Sequence, residues 1–259
     1  MAKKLKKEIL LRKMAYSKNI NMPDQNLLVE IAREKVLKAH HYTTEQIKEN
    51  FDDLLYEIEK QTYLVYLEKE KEYGKKVFKI LIENIKNEGP ATIEFIEERI
   101  GDYFYDLDAF FLSLAQSRKS RAGSAFENMI RSLFKSLNYP FDEQQIINGK
   151  PDFLLPSRKH YDQHAMDCII FTAKRTLRER WRQIVTEGTR GLGFFLATID
   201  NKVSKKQLEE MNRHRIYLVC PTKIRNECYK DIHNVISFSQ FFEDHLDPAM
   251  KRWKKNGII

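Results

Sequence analysis

Apolar residues in the first third of the chain recur at helical spacing and predict several amphipathic helices. One series runs Ile47, Phe51, Leu54, Leu55 and Ile58, and another runs Val77, Ile80, Leu81 and Ile85. Residues 22–24 and 42–45 are typical of helix starts, and Gly89–Pro90 is the clearest break in the pattern. We therefore predict a helical N-terminal domain over residues 1–89, which embraces DNA or joins chains, and a second domain over 90–259.

After Pro90 the pattern stays helical and then changes to short apolar runs. Helices are predicted over 92–111 and, after a short basic stretch at 118–123, over 126–137. The later runs have strand length, and helical segments separate them. The strand candidates are Phe153–Leu155, Cys168–Phe171, Phe194–Ile199 and Ile216–Cys220, and the helical segments are Leu177–Val185 and Lys205–Arg213. This alternation predicts an α/β (α+β) fold, in which helices flank a mixed central sheet.

Charge narrows the choice of partner. The chain has 259 residues, a net charge of +8 and a pI of about 9.2. A basic balance favours a polyanionic partner, most often nucleic acid, although a lysine-rich soluble protein fits equally well. Apolar runs are too short to cross a membrane. The cysteines Cys168, Cys220 and Cys228 lack zinc-like or redox-like spacing, so we expect a cytoplasmic protein without zinc.

Four charged residues of the second domain form a candidate site for phosphodiester hydrolysis. Glu127 lies on a predicted helix, Asp152 begins a strand, Lys174 ends the next strand, and Glu187 ends the following helix. Carboxylate oxygens hold Mg²⁺, which activates water and stabilises the leaving oxygen. A lysine beside the attacked phosphate orients that water and offsets developing charge. Each residue alone is more often a turn or surface residue, so the prediction depends on their combination.

A charged cluster follows the candidate lysine closely. Arg178, Glu179 and Arg180 fall in the first turn of the predicted helix. Arginine donates two hydrogen bonds to guanine, and glutamate accepts one from cytosine, so the cluster suits a G·C-rich half-site in the major groove. A solvated helix face with ion pairs between successive turns is the alternative interpretation.

From about Gln116 to Leu246 the chain resembles type II restriction endonucleases of the PD-(D/E)xK fold. The resemblance is to the group that reads CC:GG cores and includes EcoRII, PspGI, AgeI and BsaWI. The matching segments are Gln116–Glu127, Lys150–Leu154 and Lys174–Trp181. One position departs from the general pattern, because Thr172 stands where an acid is usual. In this group the following helix supplies that acid, and Glu187 stands at the corresponding position.

The resemblance implies roles for individual residues. Asp152 and Glu187 would bind the metal, Lys174 would lie at the scissile phosphate, and Glu127 would be an accessory acid. Gln116 matches a position that reaches the minor-groove face of the site. The cations that follow it are candidates for contacts to the DNA backbone: Arg118, Lys119 and Arg121.

The resemblance also implies a reaction and its partners. These are magnesium-dependent cleavage of double-stranded DNA at a palindromic site with a CCGG core, a homodimer on DNA, and a cognate methyltransferase in the host. Some relatives instead split the core as CCNGG or CCWGG and flip the central bases onto an aromatic platform beside an arginine. No arginine occurs between Arg33 and Arg99, which favours the continuous core. The aromatics of this stretch are interpreted as helix core: Tyr56, Tyr63, Tyr66 and Phe78.

Two alternatives from other classes remain open. An inactive DNA-binding protein could keep the fold, but the complete set of Asp152, Lys174 and Glu187 argues against it. A repair or recombination nuclease would read DNA structure and would have no use for a base-reading cluster at 178–180.

Overall fold

The apolar runs of the second half form a six-stranded mixed sheet. The computed structural model describes residues 9–147, 149–177 and 193–259, apart from the side chains of 119, 120 and 122–124. The strands are β1 (Asp142–Glu143), β2 (Phe153–Leu155), β3 (Ile169–Ala173), β4 (Gly193–Ala197), β5 (Ile216–Cys220) and β6 (Val235–Ser237). They lie side by side in chain order. The pairs β1–β2 and β2–β3 are antiparallel, and β3 to β6 are parallel.

Successive residues of each strand enter two different cores. Phe153, Phe171 and Phe195 face a core that is shared with the long helices, whereas Leu154 and Ile170 face a second core on the opposite side. A sheet that is covered on both faces needs apolar residues at nearly every strand position. The runs of the sequence were therefore continuous rather than alternating.

Helices cover both faces of the sheet and build the first half of the chain. Before the sheet lie α1 (Leu10–Ser17), α2 (Gln25–His40), α3 (Thr44–Glu49), α4 (Phe51–Glu88), α5 (Ile93–Asp102) and α6 (Phe104–Ser136). Within and after it lie α7 (Arg158–His164), α8 (Lys205–Arg213), α9 (Thr222–Cys228), α10 (Phe238–Gln240), a π-helical turn (Phe241–Leu246) and α11 (Asp247–Lys255). The predicted starts of α2 and α3 are confirmed, because the Asp24 and Thr43 side chains accept hydrogen bonds from Leu27 and Gln46 N–H.

One helical prediction is wrong. The basic stretch at 118–123 was expected to separate two helices, but α6 continues through it, and the break lies earlier, at Tyr103. The stretch contains no proline, and one glycine within a helix weakens it without ending it. Consequently Gln116 and Glu127 lie on the same helix.

The two longest helices join the sheet to a cluster of helices beyond it. The first half of α4 and the second half of α6 pack on the sheet. Their other halves pack with α1 and α5 around a separate apolar core, which we call the distal cluster. It includes Leu11, Tyr73, Val77, Leu81 and Phe110.

The predicted domain boundary after residue 89 lies at the end of a helix, since α4 ends at Glu88 and Gly89 follows it. The division of the chain into two domains at this point stays a prediction. A membrane crossing needs an apolar helix of sufficient length, and the described part of the chain contains none.

Candidate active site

Asp152 lies one residue before β2, and donors from β3 surround its carboxylate. Because β2 runs antiparallel to β3, the start of β2 lies beside the end of β3. Asp152 Oδ2 accepts hydrogen bonds from the Thr172 hydroxyl at 2.7 Å and from the Ala173 N–H at 2.8 Å. The residue is only 3% exposed. These donors satisfy a carboxylate that would be costly to bury alone.

Lys174 follows β3 directly, and its ammonium reaches the same carboxylate. Nζ lies 3.0 Å from Oδ2 and 3.4 Å from Oδ1 of Asp152. The Lys174 N–H donates to the Ala197 carbonyl at 2.9 Å, which extends the pairing of β3 with β4 by one residue. The side chain is 33% exposed, so the ammonium is held by the carboxylate and is still accessible from solvent.

Gln144 joins Asp152 to the second predicted acid, Glu127. Its side-chain Nε2 donates to Asp152 Oδ1 at 3.0 Å and to Glu127 Oε1 at 3.2 Å. Gln144 follows β1, and its φ of 54° lies in the left-handed region, which is uncommon for residues other than glycine. Its backbone N–H donates to the Asp152 carbonyl at 3.2 Å. A strained backbone conformation therefore places one amide between two carboxylates.

Burial and charge both act on Glu127. Burial raises the pKa of its carboxyl group, and the nearby Asp152 charge raises it further, whereas Arg131 and Lys174 oppose the shift. Arg131 Nη2 donates to Glu127 Oε1 at 2.7 Å, and its Nε donates to Glu143 Oε2 at 2.7 Å. The two acids of the site are thus close enough to repel each other, and a cation bound between them would relieve that repulsion.

The donor set suits a hard cation but is incomplete in the described residues. Asp152 and Glu127 supply the carboxylate oxygens that Mg²⁺ prefers. The predicted ligand Glu187 lies outside the described part of the chain. Within that part, no group of three or more His, Cys, Asp or Glu side chains is arranged to hold a metal ion. The site fits magnesium if Glu187 or water completes the shell.

The predicted base-reading residues cannot be placed. Arg178, Glu179 and Arg180 lie outside the described residues. Gln116 is exposed on α6, on the helix that carries Glu127. Its predicted contact with the minor groove stays a prediction.

The predicted contacts to the DNA backbone are only partly visible. Arg118 Nε lies 3.0 Å from Glu70 Oε2, and Arg121 Nη1 donates to the Pro23 carbonyl at 2.7 Å. Both guanidinium groups are therefore engaged by the protein itself. The side chain of Lys119 is outside the described part.

A cavity of about 400 Å³ lies between α4, α6 and the end of β3, beside the candidate active site. Aromatic and cationic side chains dominate its lining. They are Tyr56, Tyr63 and Tyr66 from α4, Arg118 and Arg121 from α6, and Arg175 after β3. Arg175 directly follows Lys174, and its Nε donates to Glu59 Oε1 at 2.9 Å.

The interpretation of the α4 aromatics as core is wrong for three residues. Tyr56, Tyr63 and Phe78 are 40%, 57% and 38% exposed, whereas Tyr66 is buried. The reason is that α4 buries its Leu54, Leu55, Ile58 face and leaves another face uncovered. The absence of arginine from α4 is also weaker evidence against a split core than expected, because α6 and the end of β3 bring arginines to its aromatic rings.

Three positioning residues were not identified from the sequence. Thr172 was noted only as a departure from a pattern, and Gln144 and Arg131 were not noted at all. Thr172 and Gln144 donate to Asp152, and Arg131 donates to Glu127. No local sequence signal marks Gln144, because its left-handed φ and its position between two acids arise from the tertiary fold.

The chain is similar to known proteins over most of its length. A family model described as EcoRII C terminal matches residues 91–242. The type II restriction enzyme SsoII of Shigella sonnei is 32% identical over 202 residues, which are 72% of this chain and 64% of that enzyme. The type II restriction enzyme EcoRII of Escherichia coli is 34% identical over 128 residues, which are 45% of this chain and 31% of that enzyme. Each match spans less than two thirds of the relative.

Solved structures share the architecture. Two structures of metal-depleted Ecl18kI in complex with uncleaved DNA, one of them with modified DNA, have TM-scores of 0.68 and 0.71. They are 26% and 24% identical to this chain, cover 95% of it, and are themselves covered to 83% and 84%. The predicted fold class, a mixed sheet flanked by helices, is confirmed.

Proposed function

We propose, from the premise that this chain belongs to the EcoRII C-terminal family, that it is a type II restriction endonuclease. It hydrolyses a phosphodiester bond in each strand of double-stranded DNA at a palindromic site. The observation that carries the proposal is the ion pair of Asp152 Oδ2 with Lys174 Nζ, which are 3.0 Å apart where β2 begins and β3 ends. The Gln144 side chain donates hydrogen bonds to both Asp152 and Glu127 and so joins the second acid to this pair. The relatives SsoII and EcoRII are type II restriction enzymes by name, and Ecl18kI is bound to DNA in its solved structures.

Magnesium is the proposed cofactor, with Asp152 and Glu187 as ligands and Glu127 as an accessory acid. When bound, it supplies an activated water and charge neutralisation at the phosphate. Thr172 and the Ala173 N–H keep the Asp152 carboxylate oriented. The Lys174 ammonium, accessible from solvent, offsets charge on the attacked phosphate and orients the water. In the Ecl18kI complexes the metal-depleted protein holds uncleaved DNA, which supports a metal requirement.

The proposed target has a CCGG core, read from both grooves. Arg178, Glu179 and Arg180 read guanine and cytosine in the major groove, and Gln116 reaches the minor groove. Arg118, Lys119 and Arg121 contact phosphates, which position the duplex without reading it. A palindrome has two equivalent half-sites and two scissile phosphates, so two chains act as a homodimer on the DNA. A host that carries such an enzyme needs a cognate DNA methyltransferase.

The cavity beside the site favours a second candidate, a split CCNGG or CCWGG core with flipped central bases. Its volume of about 400 Å³ is in the range of small-ligand sites. A flipped base stacks on aromatic side chains and is held by polar groups, and the cavity offers Tyr56 and Tyr63 beside Arg118 and Arg175.

Fluorescence separates the two cores. A duplex with 2-aminopurine at the central position of CCNGG should become brighter on binding if the base leaves the stack, and Tyr63→Ala should reduce that change. The same probe beside a CCGG core serves as the control. Unchanged fluorescence together with cleavage of CCGG but not CCNGG would exclude the split core.

The first test of the proposal is cleavage of a supercoiled plasmid in magnesium, calcium and EDTA. Asp152→Ala, Glu187→Ala and Lys174→Ala should each abolish cleavage, whereas binding of cognate DNA in calcium largely survives. Lys205→Ala, an exposed lysine on the far helix α8, is the matched control. Cleavage by Asp152→Ala near the wild-type rate would show that the active site is misassigned. A wild-type chain that binds but never cuts would support the inactive DNA-binding alternative.

A second test concerns base reading. Alanine at Arg178, Glu179 or Arg180 should each reduce discrimination by about 1–3 kcal/mol per half-site, with a larger loss on cognate than on random DNA. Competition binding measures the difference. An equal loss on both DNAs would mean that these residues contact phosphates only.

A further inference from the structure

The distal cluster has an exposed apolar surface on one side. We call it the aromatic face, and it consists of Gly74 and Phe78 on α4 with Phe104, Tyr105, Phe111 and Leu112 on α6. Phe104 and Tyr105 are 66% and 83% exposed, and Phe111 and Leu112 are 53% and 56% exposed. The ring centroids of Phe104 and Tyr105, both on α6, are 5.5 Å apart, and those of Phe78 on α4 and Phe111 on α6 are 6.3 Å apart. Clustered exposed aromatics mark surfaces that bind other molecules, whereas scattered ones do not.

Gly74 is a second and independent sign of a partner on this face. It lies inside the 38-residue helix α4, one turn before Phe78. Glycine is among the weakest formers of helix interiors and is used where a backbone must approach closely. Among the residues that the structure describes, nothing requires it, because an added methyl group would meet no atom within 4 Å other than the backbone of its own helix. The space that glycine leaves open is therefore available to a helix from outside the chain.

The charge around the aromatic face is self-complementary. Residues 69–86 of α4 contain six lysines and three glutamates, and residues 92–110, in α5 and early α6, contain six acids and one arginine. The α4 side of the face is therefore richer in lysine, and the α5 and early α6 side is richer in acids. Two copies related by a two-fold axis can bring the α4 side of one against the α5 and α6 side of the other.

The position of the face on α6 places it near the axis of a palindromic site. Phe111 precedes Gln116, the proposed minor-groove residue, by about 7.5 Å of helix rise. Every base pair of a core of four or five base pairs lies within about 7 Å of its dyad. If Gln116 reaches this core, it is close to the two-fold axis, and so is Phe111, the ring of the face nearest to it along α6.

We infer that the aromatic face binds a second copy of this chain across the two-fold axis of the DNA. The inference rests on the proposed cleavage of a palindromic site by two chains, and it assigns the surface that joins them. Gly74 permits the close approach of the partner helix, and Phe104, Tyr105 and Phe111 fill the interface. Each chain then cuts one strand, and the interface couples the two cuts.

Three glutamine variants test the inference. Gly74→Gln obstructs the close approach with a good helix former, so its thermal unfolding temperature should equal or exceed that of the wild type. Phe104→Gln removes an apolar ring at the start of α6. Met166→Gln is the matched control, because Met166 is also 66% exposed and lies in the turn after α7.

Light scattering in calcium counts the chains on a duplex that carries one site. The wild type and Met166→Gln should bind as two chains. Gly74→Gln and Phe104→Gln should need at least about tenfold more protein to form the two-chain complex. On a supercoiled plasmid in magnesium they should accumulate nicked circles, since a single bound chain still cuts one strand.

A failure of the proposed function and a failure of the proposed interface give different experimental results. If the wild type cuts no DNA, the proposed function fails before any variant is compared. If the wild type binds as two chains and both face variants assemble and linearise plasmid like Met166→Gln, the aromatic face is not the interface. A wild type that cuts both strands as one chain per duplex overturns the inference as well.

Discussion

Thr172 shows how one residue supports a buried acid. It stands two positions before Lys174, is 1% exposed, and donates its hydroxyl to Asp152 at 2.7 Å. A carboxylate at this position would be buried against Asp152, whereas a hydroxyl satisfies it. The residue that departs from the general pattern of the fold is therefore a positioning residue for Asp152, the proposed metal ligand.

Thr172→Val keeps the shape of the side chain and removes the donor. We expect cleavage to fall about 10- to 100-fold, as is typical when a group that orients a metal ligand is lost. Thr172→Ser retains the hydroxyl and should recover much of the activity. Single-turnover cleavage rates measured against magnesium concentration check this, and an unchanged rate for the valine variant would show that the hydrogen bond is dispensable.

Glu127 gives the fold a pH dependence. Because its pKa is raised in the folded chain, the folded state holds this proton more tightly than the unfolded chain does. Stability is therefore lost as the pH rises from the ordinary glutamate value through the raised folded value. Glu127→Gln does not ionise, so its free energy of unfolding relative to wild type should increase across that window and level off above it.

Denaturant unfolding in EDTA between pH 3.5 and 8 measures this difference at each pH. The same variant should cut DNA poorly, because a neutral amide lacks the negative charge by which the proposed accessory acid would favour the cation and its bound water. A difference that is independent of pH, or that decreases as the pH rises, would contradict the assigned direction of the shift.

At the scale of elements, the sequence predicted those strands and helices whose formation depends on residues close together in the chain. The strands Phe153–Leu155 and Ile216–Cys220 and the helix Lys205–Arg213 agree with their predicted bounds, because apolar runs and spacing define them. The two-residue strand β1 and the three-residue strand β6 were missed, since short strands exist only through their neighbours.

The candidate site was likewise predicted in part: its residues could be identified along the chain, but some of their contacts could not. The chain order of Glu127, Asp152 and Lys174 was visible because each falls at a predicted element or its end. The link from Glu127 to Asp152 through the Gln144 side chain was not predicted, because it depends on β1 pairing with β2. The arginines that reach the aromatic rings of α4 come from α6 and the end of β3, and no spacing along the chain encodes that approach.

The start of α2 provides a test of an element boundary. The Asp24 side chain accepts from the Leu27 N–H at 2.9 Å, and the preceding Pro23 carbonyl accepts from Arg121 of α6. Asp24→Ala should lower the free energy of unfolding by about 1 kcal/mol, whereas Asp24→Ser should be close to wild type. Urea unfolding compares them, and equal losses for both variants would mean that the cap contributes little.

For the whole molecule, the net charge of +8 predicts strongly salt-dependent binding to DNA. A complex with six to ten phosphate contacts loses about 10³- to 10⁵-fold in affinity between 50 and 200 mM salt. Lys119→Ala should reduce the slope of log affinity against log salt by about one for each chain in the complex, and Lys205→Ala should leave it unchanged. Fluorescence anisotropy with a cognate duplex in calcium measures both slopes, and a flat salt response would contradict an electrostatic mode of binding.

The uninterrupted course of α6 sets a rotational phase between its two ends. Glu127 and Phe111 are joined by one helix from Phe104 to Ser136, so the angle between them depends on the number of residues that separate them. Deleting one residue from this interval turns the two ends relative to each other by about 100°, whereas inserting seven restores the phase to within about 20°. Length changes that surface loops tolerate are therefore restricted here to steps of whole turns.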